Sequence, residues 1–148
     1  MDSSGSADLS IGPIKLFTLG RLPGPTADPW WVDEIVCRVG ADAAGLRIEI
    51  EGQIASRNLQ FFLSDLQSVY DSLEGTATLD GSDLGLVVSI KALPLGHISV
   101  SAEFWPSGMW DGPLRANFQL DQTDLRPVLA QCRAILDSYP VKADRSLL

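Results

Sequence analysis

The sequence predicts an α+β fold: an antiparallel β-sheet of about seven strands, in the order βββαββββα, with two amphipathic helices packed against it. Three features carry this. Apolar residues alternate with polar ones over several short stretches joined by Gly- and Pro-rich turns. Two longer stretches place apolar residues at three- and four-residue spacing, and near the end one period changes directly into the other. There Leu114, Ala116, Phe118 and Leu120 alternate with Arg115, Asn117, Gln119 and Asp121, before Leu125, Val128, Leu129, Cys132, Ile135, Leu136 and Tyr139 mark out one helical stripe.

In chain order, residues 1–12 are small, polar and acidic and are expected to be a disordered lead-in. A single domain should occupy residues 13–140, with 141–148 a flexible tail. Ile14 to Leu19 reads as a first strand at a sheet edge, and the proline-rich segment 20–29 as a loop. Residues 30–39 alternate as a second strand, in which Asp33 interrupts the apolar face and is expected at its open end. Leu46, Ile48, Ile50, Gly52 and Ile54 form a third, the cleanest amphipathic strand in the chain. Ser56 is the expected cap of a helix that runs through Leu59, Phe62, Leu66 and Val69 to about Leu73, where Glu74-Gly75 ends it; Phe61 is expected to widen its buried face. Residues 76–79 and 86–92 should pair through an Asp-Gly turn, and 98–104 follow as the next strand. After the 106–113 loop and the strand 114–121, Pro127 restricts the last helix to a start near Thr123 or Asp124. No internal repeat is visible.

The chain has 148 residues, of which 45% are hydrophobic and 20% charged, values that suit one globular domain and argue against overall disorder. No apolar run is long enough to span a membrane, and the first residues lack the pattern of a secretion signal, so a cytoplasmic protein is expected. Nineteen acidic against eleven basic residues give a formal charge of −8. Such a charge disfavours direct contact with nucleic acid and favours a basic protein partner, although solubility alone also accounts for it.

No metal-binding, P-loop, CxxC or nucleophile-elbow pattern occurs, and the one histidine, His97, lies at a turn. No catalytic residue, cofactor or metal site is therefore predicted. Cys37 and Cys132 read as small core residues. The residues that stand out as binding candidates are Glu49 and Glu51 on one strand face, Glu103 on another strand, and Trp110 with Asp111 in a Gly/Pro-rich loop, where an aromatic anchor beside an acid suits a protein interface. Three other functions stay open, one of them an enzyme that uses His97 with a nearby carboxylate. A curved sheet could enclose a small ligand beside Phe17, Trp31 and Trp105, or the chain could be a structural subunit, a monomer or a weak homodimer that pairs through its first strand.

The stretch from GHISV to LRANFQLDQTDLRPVLAQCRAIL resembles the WapI-like family of bacterial immunity proteins. The likeness rests on the helix LQFFLSDLQSVYDSLEGTATL, on a G-x-I-x-V strand (Gly96, Ile98, Val100), and on a last strand that enters a D-Q-[ST]-x-L helix through Asp121, Gln122, Thr123 and Leu125. It covers about residues 30–137. The Pro/Trp-rich segment 23–31 and the length of the 106–113 loop depart from the family pattern. The resemblance implies a non-enzymatic cytoplasmic antidote that binds a toxin domain, typically a nuclease acting on RNA, and blocks its active site. It assigns no binding residue; Asp121 and Gln122 are expected to order the strand-to-helix turn.

Overall fold

The computed structural model describes residues 6–21, 33–43, 45–106 and 113–142. The fold is α+β, with eight strands in two antiparallel sheets and two helices. The first sheet contains β1 (Leu9–Ile11), β2 (Ile14–Arg21), β3 (Glu34–Ala43) and β4 (Leu46–Ala55), in that order across the sheet. The helix α1 (Ser56–Ser72) follows. The second sheet is β5 (Thr76–Gly81), β6 (Leu86–Ala92), β7 (His97–Phe104) and β8 (Leu114–Asp121), again side by side, and α2 (Leu125–Ser138) follows it.

Two findings revise the single seven-stranded sheet. Leu9–Ile11, inside the expected lead-in, forms a strand with Leu9 and Ile11 buried; three residues are too few for alternation to reveal them. The strand 14–21 is consequently interior, paired to β1 on one side and β3 on the other, and is not an edge. The second revision is the split itself. Alternation shows that each strand buries one face, and the structure shows what meets that face: the inward residues of both sheets belong to one continuous core with Leu59, Phe62 and Leu66 of α1 and Val128, Leu129 and Cys132 of α2.

The two halves repeat one connectivity, ββββα then ββββα, and contact each other reciprocally, a relation that no sequence repeat announces. The helix that follows the first sheet packs along β5 of the second, and the helix that follows the second sheet packs along β1 of the first. Each shields an edge. Asn58 of α1 donates from Nδ2 to the Asp80 carbonyl at 2.9 Å, and the Ser10 N–H donates to Gln131 Oε1 of α2 at 2.8 Å. The turns are also exchanged: the β1–β2 turn at Gly12 lies against Phe118 of β8, and the β5–β6 turn at Leu84 lies against Gly52 of β4. With β1 bonded to α2, pairing of a second copy through the first strand loses its basis.

The helix starts are built differently from each other. Ser56 is the first residue of α1 and does not cap it: its N–H and hydroxyl both donate to the Asp33 carbonyl, at 2.8 and 3.2 Å, in full burial. β4 runs into α1 without a break, so the buried hydroxyl is taken up by the neighbouring strand end. Ahead of α2, Asp121 and Asp124 form a capping box in which the Asp121 N–H donates to the Asp124 carboxylate at 2.9 Å, and Pro127 falls in the first turn as required. At its other end α1 stops at Leu73, as expected, but it is Leu73 itself and not the following glycine that takes the left-handed conformation at the cap. Phe61 is half exposed and does not widen the buried face.

Candidate interaction surface

Period-two alternation turns Lys15 and Phe17 of β2, Arg38 and Gly40 of β3, and Arg47, Glu49 and Glu51 of β4 away from the core. Strand register arranges them in rungs. Lys15, Gly40 and Glu49 lie in one, and Phe17, Arg38 and Glu51 in the next. Because Gly40 has no side chain, the first rung is hollow at its centre, and an open groove of about 330 Å³ lies there, bordered by Lys15, Phe17, Arg38, Arg47 and Glu49. The Arg38 guanidinium stacks over the Phe17 ring at 4.9 Å from its centre, and Arg47 approaches the Glu49 carboxylate at 3.9 Å. Glu49 and Glu51 thus share one exposed face, interleaved with three cations. Glu51 has no ion pair among the described residues.

Glu103 stands on the other sheet, in β7, where it accepts from Arg115 Nε of β8 at 3.1 Å. Around it the outer face is a ladder of small polar groups, with Ser101 bonded to Asn117 at 2.6 Å and Thr78 to Ser89 at 3.2 Å. The structure therefore joins Glu49 to Glu51 and leaves Glu103 apart from them. Trp110 and Asp111 lie outside the described residues, as does Trp31. Phe17 and Trp105 belong to different sheets: Phe17 is on the outer face of the first, whereas Trp105 follows β7 of the second and is 45% exposed.

His97 is exposed at the start of β7, opposite Asp121 in register, whose side chain serves the capping box. Among the described residues, no group of three or more His, Cys, Asp or Glu side chains is placed to hold a metal ion. Cys37 and Cys132 are free and buried, and burial pushes both thiols up to about 12. Thiolate chemistry is suppressed at both.

Sequence reasoning gave little warning of two further clusters. One is buried where β3, α1 and the chain end meet. Asp33, fully enclosed, accepts the Lys142 N–H at 2.6 Å and faces Arg57 Nη1 at 3.6 Å, beside Glu34. The break in alternation at Asp33 was its only trace. The other is a cleft of about 240 Å³ between the helices, lined by Gln67, Tyr70, Arg126, Leu129 and Arg133, in which Arg133 donates to Gln67 and the Gln122 amide donates to the Tyr70 carbonyl at 3.0 Å.

An α+β scaffold of this kind, with binding candidates on its sheet faces, fits a protein whose work is recognition. Residues 4–140 match the family described as the immunity protein WapI-like family, and the chain belongs to that family. No curated protein and no solved structure gives a match. Among the described residues, no helix is long and apolar enough to cross a membrane.

Proposed function

We propose that this immunity protein neutralises a cognate toxin domain by binding it and occluding its active site, without converting a substrate, and that the toxin is a nuclease. The observation that carries the reading is the family match over nearly the whole chain. The charge of −8 supports the partner's chemistry, since an acidic protein is drawn to the basic groove in which a nuclease holds phosphates. Glu49, Glu51, Glu103, Trp110 and Asp111 remain the proposed contacts. Glu51 is the foremost of them, being exposed and without an ion pair among the described residues, while Arg115 and Arg47 compensate Glu103 and Glu49.

The test uses a purified nuclease domain of the kind this reading takes as the partner. Glu49→Lys with Glu51→Lys should leave the fold intact and lower the association rate by about tenfold at low salt, with the difference shrinking as salt is added. Wild-type kinetics and undiminished protection of cells in that double variant would remove these glutamates from the interface.

A further inference from the structure

Eight described residues have a positive φ, the region that a side chain disfavours, and six of them are glycines. The two exceptions are both leucines: Leu73 at φ 58° and Leu95 at φ 65°. Both are exposed, Leu73 by 39% and Leu95 by 94%. They also lie at the same end of the molecule. Leu73 closes α1 and leads to Gly75, whose carbonyl accepts the Ala92 N–H at 3.1 Å; the next residue, Leu93, donates its N–H to the His97 carbonyl at 2.8 Å and so closes the turn that has Leu95 at its tip.

Burial does not account for Leu95, which is 94% exposed, whereas Leu73 keeps most of its surface covered. Glycine or asparagine would take either backbone position with less steric conflict. A leucine held in a left-handed backbone conformation and turned to solvent marks a candidate contact. The surroundings indicate what would cover them. Glu74 follows Leu73, Asp121 faces His97 across the ladder, and Asp124 is bonded to Asp121; a cation, Lys91, lies opposite Thr76. The tip is apolar and its rim acidic.

We propose that Leu95, flanked by Leu73, is a knob that inserts into an apolar, basic-rimmed pocket of the toxin partner. This rests on the toxin-binding reading above and names a second contact for it, distant in sequence from Glu49 and Glu51. Leu95→Gly and Leu95→Asn separate the knob from the fold, because they relieve the backbone and remove the side chain together. Thermal unfolding of both variants should occur at the wild-type temperature or above it, while the dissociation constant for the nuclease domain used in the test above rises at least tenfold; Leu95→Met should bind as the wild type does.

Unchanged binding by Leu95→Gly and Leu95→Asn, with wild type binding normally, would overturn the knob and leave the toxin reading standing. A lowered unfolding temperature would make Leu95 structural and overturn it as well. Failure of the wild type to bind the toxin would defeat the toxin reading, and the assigned occupant with it. A dimer that sediments at high concentration and is dissolved by Leu95→Gly would assign the knob to a second copy of this chain instead.

Discussion

Glu34 begins β3 with its Oε2 enclosed and without a hydrogen-bond donor among the described residues. Burial raises its pKa above the ordinary 4.5, Asp83 raises it further, Arg57 opposes the rise and Asp33 adds to it. The folded protein therefore holds this proton more tightly than the unfolded chain does, so the stability it contributes is complete below the ordinary glutamate value and is lost as pH rises through the folded one. Glu34→Gln, permanently neutral, should be more stable than wild type at about pH 7, and the gain should vanish below about pH 4. Urea titrations at the two pH values check this. Of this junction only Asp33 was visible in the sequence, as a charge on an otherwise apolar face. The left-handed leucines were invisible, because a turn that needs such a conformation ordinarily announces itself with glycine.

At the level of elements, alternation located β4 and β6 to β8, and helical spacing located both helices, because each of these segments is long enough to express its period; the strand expected over 30–39 overlaps β3 from Glu34, and β3 continues to Ala43. What alternation could not supply was the partner of each buried face. β4 illustrates the difference. It crosses the β5–β6 turn at Gly52, where an added Cβ would lie 2.9 Å from Leu84 Cα and 3.0 Å from the Asp83 carbonyl. Backbone atoms cannot rotate aside, so Gly52→Ala should destabilise the protein by about 1–3 kcal/mol. Gly40→Ala makes the control: the nearest atom to its Cβ is the Ile48 carbonyl oxygen at 3.9 Å, and the change should stay within about 0.5 kcal/mol while narrowing the groove between Lys15 and Glu49. Chemical unfolding of the two variants side by side distinguishes them. The same split of one expected sheet into two explains why Glu103 is separated from Glu49 and Glu51: the pattern showed that all three face outward, and outward has a different direction on each sheet.

The whole molecule is a single core shared by two interlocked halves, each of which lends its helix to the other. Residues 1–74 alone would keep α1 and lose β5, the strand along which it packs; residues 75–148 would keep α2 and lose β1. Each fragment should lack cooperative structure by circular dichroism, and mixing them should restore the helical signal and a single unfolding transition. Two independent transitions would instead mean two separately stable units. Nothing in the sequence disclosed this exchange, since the halves share an order of elements without sharing residues.

The bond between Ser10 and Gln131 joins positions 121 residues apart, near opposite ends of the chain. During synthesis the opening strand must consequently wait, its apolar side chains uncovered, until the closing helix has left the ribosome. A product stalled or truncated before Leu125–Ser138 should therefore protect no cell, and protection should begin only once that helix has emerged.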